Sequence, residues 1–228
     1  EVGLSPMLSV LQTTPYRTAA SFLLSTVPLF ILMAELLARG SIVRNLYRAC
    51  TLWMGHIRGG LALAAIAASV GFAVLSGSST AAAAAMSRIS MPEMRRYGYN
   101  ESFALGVIAV GGTLSIMIPP SLPLILYGVL TETSIGRLFL AGILPGALTA
   151  GVYVITIIVQ VSRNPEIAPP TEKYSWSERF ASIPGTSPAI VLVLLVLGGI
   201  YSGAITATEA AAVGAAGAFV ISILVGGL

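Results

Sequence analysis

Between Glu101 and Glu132 the chain carries no charged residue, and the middle of that run reads GGTLSIMIPPSLPL (111–124). About 20 apolar residues suffice for a helix to cross a bilayer, so the run is long enough to span. Yet it holds two adjacent glycines, three prolines and the hydroxyls of Thr113, Ser115 and Ser121. In hydrocarbon each unpaired backbone group costs several kcal/mol, so irregular backbone survives only inside protein or along a cavity.

Composition agrees on the solvent. Hydrophobic residues make up 56% of the chain and charged residues 9%, with a mean hydropathy of +0.90. A soluble domain carries about a quarter charged residues, so this chain cannot cover itself in water and is expected to be an all-α, polytopic membrane protein. Cys50 alone forms no internal disulfide, and His56 alone builds no metal site. The chain starts at Glu1 without a charged leader region and ends inside an apolar run, and is expected to be a piece of a longer protein.

Uncharged runs cover residues 18–34, 60–87, 102–131, 138–162, 180–208 and 210–228. Between the first two, RGSIVRNLYRACTLWMGHIR (39–58) mixes four arginines with Leu, Tyr and Trp. It reads as an amphipathic helix lying in the headgroup region, or else as a tilted extension of the first span.

The run 60–87 is interrupted by SGSST (76–80), which leaves limbs of about 16 and fewer than about 10 residues, each too short to cross alone. It is either a hairpin that enters and leaves on one side, or one straight helix whose Ala81 to Ala85 stretch packs closely on a neighbour. Charge placement separates the two. Arg58 precedes the run, and Arg88, Arg95 and Arg96 follow it, so both ends are basic. With a hairpin here, ten of the 12 Lys and Arg residues lie on the cytoplasmic side: Arg39, Arg44, Arg48, Arg58, Arg88, Arg95, Arg96, Arg163, Lys173 and Arg179. A full crossing moves the last six outside and destroys the positive-inside bias. The hairpin keeps it, with SGSST at its tip.

Neither interrupted element holds Asp, Glu, Lys, Arg or His, which argues against a proton relay or a transition-metal site. Freed carbonyls and the hydroxyls of Ser76, Ser78, Ser79, Thr80, Thr113 and Ser121 suit a hard, weakly held cation such as sodium. Exposed N-terminal ends of half-helices suit an anionic group. The pairing describes a cation-coupled carrier of organic anions. A channel is the main rival, since carbonyls also line selectivity filters. A membrane enzyme lacks a nucleophile and base within reach, and a purely structural subunit would tolerate Gly112→Leu or Ser79→Ala.

The segments PLFILMAELL (28–37), GHIRGGLA (55–62), SGSSTA (76–81), GGTLSIMIPPSLPLILYG (111–128), TETSIGRLFLAGILPG (131–146) and GGIYSGAITATEAAAVGA (198–215) resemble the large membrane (permease) subunit of tripartite ATP-independent periplasmic (TRAP) transporters. The resemblance implies a multi-pass protein of the bacterial inner membrane, of ion-transporter superfamily type, with two inverted repeats that each hold a re-entrant hairpin and a broken helix. This chain would carry the first repeat and the start of the second. It implies a sodium symporter with elevator-type motion, importing carboxylates or sugar acids. The implied partners are a small membrane subunit, a periplasmic binding protein and lipid, with no nucleic acid and no cofactor beyond sodium.

By position, residues 1–59 form scaffold and arm. Residues 60–163 form half a transport domain, with hairpin 60–88, broken helix 101–131 and span 138–162. Residues 164–187 form a cytoplasmic linker without visible chemistry, and 188–228 open the second repeat. Ser76, Gly77, Ser79, Gly111, Gly112, Thr113 and Pro119 are then expected at sodium, and Ser78, Thr80, Pro120 and Ser121 at the solute. Elsewhere, Glu35 is placed to pair with Arg39 or to couple, and Thr206 or Thr208 to cap a helix with Glu209 near its start. Glu132 and Arg137 flank an outer turn.

Overall fold

The computed structural model describes residues 22–39 and 41–224, together with Leu8 and Thr13. Among these residues every regular element is helical. A 3-10 turn (Phe22–Ser25) leads into α1 (Thr26–Arg39), followed by α2 (Ile42–Met54), α3 (Gly60–Ser76), α4 (Ser79–Arg96), α5 (Glu101–Met117) and α6 (Leu122–Leu130). After α7 (Ile135–Arg163) come a second 3-10 turn (Pro165–Ile167), the short α8 (Trp176–Ala181), α9 (Ile183–Tyr201) and α10 (Ala207–Leu224). Among the described residues four stretches are long and apolar enough to cross a membrane, Glu101–Leu130, Ile135–Arg163, Trp176–Tyr201 and Ala207–Leu224, and the bent pair Phe22–Ala38 and Ile42–Met54 passes the same test when taken together. The start of the predicted first span and the side chain of Arg39 lie outside the described residues.

Helix α2 has the amphipathic form read from its sequence. Val43, Tyr47 and Thr51, four residues apart, are buried with Ile42 and Leu52, while Arg44 and Arg48 are exposed.

Helices α3 and α4 fold back on each other. Gly77 takes a left-handed conformation (φ 59°) that ends α3, and its N–H bonds the Ala73 carbonyl at 3.0 Å. Extended Ser78 then caps α4 by accepting from the Ala81 N–H. At 1.5 Å per residue the limbs are about 25 Å long, so a straight path would part their far ends by about 50 Å. Instead the Leu61 N–H donates to the Tyr99 hydroxyl at 3.1 Å. Burial pushes that phenol up to about 12.

The base of the hairpin is also tied to the linker. Gly59 donates to the Ala168 carbonyl at 3.0 Å and Asn100 to the neighbouring Ile167 carbonyl at 2.9 Å, while the Thr171 N–H reaches the Gly55 carbonyl at 2.9 Å. The linker, in which no chemistry is visible from sequence, fastens both ends of the hairpin.

The second limb is longer than predicted. The apolar run stops at Arg88, but α4 continues to Arg96 because the buried stripe Ala82, Met86, Ser90 and Met94 runs past the charge. The linker is shorter than predicted, since α8 lies within it and α9 begins at Ile183. Helix α5 lies along both limbs.

The first and last helices, α1 and α10, pack on each other. The buried hydroxyls of Thr26 and Thr208 meet at 2.8 Å, and Ser222 donates to the Leu36 carbonyl at 3.0 Å. The cap of α10 is Thr206: its hydroxyl accepts from the Glu209 N–H at 3.3 Å while the Glu209 carboxylate accepts from the Thr206 N–H at 2.7 Å. Thr206→Ala is therefore expected to cost about 1 kcal/mol, read as a lower midpoint in thermal unfolding of the full-length protein in detergent.

Candidate functional site

The site lies where the hairpin tip meets the break between α5 and α6. Helix α5 ends at Met117, with the Ile118 N–H bonded to the Leu114 carbonyl at 2.9 Å. Pro119 and Pro120 have no N–H, so the Ser115 and Ile116 carbonyls, four residues earlier, lose their helical donors. The buried Ser121 hydroxyl replaces one of them by donating to the Ile116 carbonyl. Ser121 then stands at the start of α6, where Pro123 falls in the first turn and its missing N–H costs nothing.

Tip and break touch through backbone. The Leu122 N–H donates to the Gly77 carbonyl at 3.2 Å. A Cβ on Gly77 would stand 2.5 Å from the Pro120 carbonyl oxygen. One on Gly112 would stand 2.8 Å from the Ala83 Cβ and 3.1 Å from the Ser79 carbonyl oxygen, and one on Gly111 would lie 2.7 Å from the Ser69 hydroxyl. Side chains at these three positions would force α5 and the break away from the hairpin.

Of the residues predicted for sodium, Ser76, Gly77 and Ser79 form the tip and Gly112 packs against its start, while Gly111 packs lower on the first limb, at Ser69. Ser76 is buried, and its hydroxyl sits 3.4 Å from the Ser78 N–H. Pro119 is buried at the break, with its ring toward Gly142 of α7. Among those predicted for the solute, Pro120 and Ser121 lie at the break. Ser78 and exposed Thr80 pair through their hydroxyls at 3.2 Å on the outer side of the tip.

Thr113 stands apart. Its hydroxyl donates to the Val110 carbonyl at 2.7 Å and lies 3.0 Å from the Tyr153 hydroxyl of α7, so its side chain faces away from the hairpin. Ser115 instead lies on the hairpin side of the helix. Three and four residues after Gly112 and Gly111, it falls on the same helical face one turn nearer the break. It is fully buried, and its hydroxyl has no hydrogen-bond partner. Helical spacing was the signal in the sequence, since 111, 112 and 115 share a face and 113 does not.

Neutral oxygen is the only ligand chemistry at this contact, and among the described residues no His, Cys, Asp and Glu cluster could hold a metal. The C-terminal ends of α3 and α5 bring carbonyls, and the N-terminal ends of α4 and α6 bring positive dipole ends. One arrangement therefore offers oxygens to a small hard cation and N–H groups to an anion.

The family model of the DctM component of tripartite ATP-independent periplasmic transporters matches residues 2–227. The chain is 40% identical over 224 residues to the C4-dicarboxylate TRAP transporter large permease protein DctM of Pseudomonas aeruginosa, covering 94% of this chain and 52% of that protein. It is 35% identical over 211 residues to the ectoine TRAP transporter large permease protein TeaC of Halomonas elongata, covering 92% and 48%. To the sialic acid TRAP transporter large permease protein SiaM of Vibrio cholerae it is 36% identical over 194 residues, covering 85% and 45%. The chain thus spans about half the length of these curated relatives.

Proposed function

This chain belongs to the DctM-component family of tripartite ATP-independent periplasmic transporters, and we propose that its hairpin tip and broken helix form one half of the sodium and solute site of an organic-anion symporter. The protein is a polytopic subunit of the inner membrane, and its relatives are permeases rather than enzymes. One observation carries the sodium reading. The contact between SGSST and IPPS is made by neutral backbone and hydroxyl groups with no charged side chain, and the unpartnered Ser115 hydroxyl lies one turn before the break.

In this reading α3 and α4 enter from the cytoplasmic side and return to it, with the tip at mid-membrane depth. Sodium takes the carbonyl ends and the hydroxyls of Ser76 and Ser115. The carboxylate of the solute takes the N-terminal ends of α4 and α6 near Ser78, Thr80 and Ser121. The hairpin and broken helix move together against a scaffold that includes α1 and α2, as an elevator. In proteins about twice this length, a second repeat of the same kind supplies the facing half. The relatives' substrates include C4-dicarboxylates and sialic acid, so carboxylates and sugar acids are the solute class proposed here. A small membrane subunit and a periplasmic binding protein complete the assembly.

The test is uptake by the full-length complex with its binding protein in proteoliposomes. An inward sodium gradient is expected to drive saturable accumulation, and its removal to abolish it. Uptake that ignores sodium and follows a proton gradient overturns the assignment of the neutral oxygens. Non-saturable flux would support the channel instead.

A further inference from the structure

Away from the tip, a cavity of about 560 Å³ opens between α2, α4 and the segment containing α8. Its lining includes Arg44 and Arg48, one turn apart on the exposed side of α2, and the carboxylates of Glu93 on α4 and Glu178 on α8. Neither arginine forms a direct salt bridge among the described residues, although Arg48 is near enough to Glu178 to attract its carboxylate. Two more lining residues, Tyr47 and Thr51, are only 2% and 3% exposed and form the closed floor of the cavity, with the Tyr47 hydroxyl near both Thr51 and Glu93.

The depth of the cavity is marked by aromatics. Trp53 at the end of α2 packs edge-on against Trp176 (6.2 Å) and Phe180 (5.8 Å), and the Arg179 guanidinium lies 5.0 Å from the Trp176 ring centroid. Trp176 and Phe180 are more than half exposed. Exposed tryptophans beside arginines are the signature of the headgroup layer.

We propose that this cavity is a binding site for the zwitterionic headgroup of a phosphoethanolamine lipid. The guanidinium groups of Arg44 and Arg48 hold the phosphodiester, since charge-assisted bonds from paired arginines suit phosphate oxygens. Glu93 and the Glu178 oxygen left free by the Ser175 cap hold the ammonium. Water alone would leave both signs of charge facing one open space. An anionic headgroup would satisfy the arginines and be repelled by the carboxylates. The bound lipid would bridge the arm helix α2 and the returning limb of the hairpin, two elements that the proposed motion carries past each other.

The experiment is native mass spectrometry of the full-length complex, delipidated and then titrated with phosphatidylethanolamine, phosphatidylglycerol or inorganic phosphate. Phosphatidylethanolamine is expected to be retained at least fivefold better than phosphatidylglycerol. Arg44→Gln combined with Arg48→Gln is expected to lower that retention at least fivefold. Glu93→Gln should narrow the preference between the lipids without lowering phosphatidylglycerol binding. Equal retention of the two lipids overturns the zwitterion assignment, and occupancy by inorganic phosphate alone overturns the lipid source. Retention unchanged in every variant overturns the site.

Discussion

Gly77→Ala is expected to abolish solute uptake by the full-length protein, with at least a tenfold loss of initial rate in proteoliposomes although the complex still assembles. Two costs add at this position. The φ of 59° is left-handed, which costs about 1–2 kcal/mol for a residue with a Cβ. The new Cβ would also stand 2.5 Å from the Pro120 carbonyl oxygen, a backbone atom that moves only if the break moves. The tip must then separate from the break, taking with it the bond from the Leu122 N–H to the Gly77 carbonyl and the oxygens that face one another there. Gly98→Ala is the matched control. Its φ of 74° carries a comparable dihedral cost, but a Cβ there meets nothing within 4 Å. Gly98→Ala should lower stability by about 1 kcal/mol and leave uptake close to that of the unsubstituted protein. Equal loss of uptake in the two variants would show that backbone strain, and not the contact between tip and break, limits transport.

The fold-back between α3 and α4 was legible in the polar interruption at SGSST, where Gly77 and three hydroxyls stop one helix and start the next. The break at Pro119 and Pro120 was legible for a simpler reason, since proline removes a donor wherever it stands. What the sequence did not disclose was how the hairpin is held. The linker's grip runs from Gly59 and Asn100 to the carbonyls of Ala168 and Ile167, all backbone groups that any sequence carries, so no residue type marks it. The end of α4 is hidden for the opposite reason. Arg88 closes the apolar run, whereas the stripe from Ala82 to Met94 continues on one face, and charge on the other face does not stop a helix. The hydroxyls of Thr113 and Ser115 exchange faces for the same reason: the run shows both, and only helical spacing separates the side toward the hairpin from the side toward α7.

That last exchange yields a second large effect. Ser115→Ala is expected to raise the sodium concentration for half-maximal uptake by three- to tenfold, the scale of one lost neutral interaction of about 0.5–1.5 kcal/mol. Its effect on folding should be small when sodium is absent. The hydroxyl has no partner in the fold, and replacing it with a methyl group removes an unsatisfied polar atom rather than a bond. The unfolding temperature without sodium should therefore stay level or rise, and the further rise that sodium confers should shrink, because a ligand stabilises only as far as its concentration exceeds its dissociation constant. Thr113→Val should show the reverse. It loses the hydroxyl contacts to Val110 and Tyr153, which lowers stability in sodium and in its absence alike, while the sodium dependence of uptake is unchanged. A sodium titration of uptake and paired melting curves on both variants distinguish a ligand from a structural hydroxyl. If Ser115→Ala melts lower without sodium and keeps the sodium half-saturation of the parent, then Ser115 is packing, and the sodium oxygens must be sought among the carbonyls of the break.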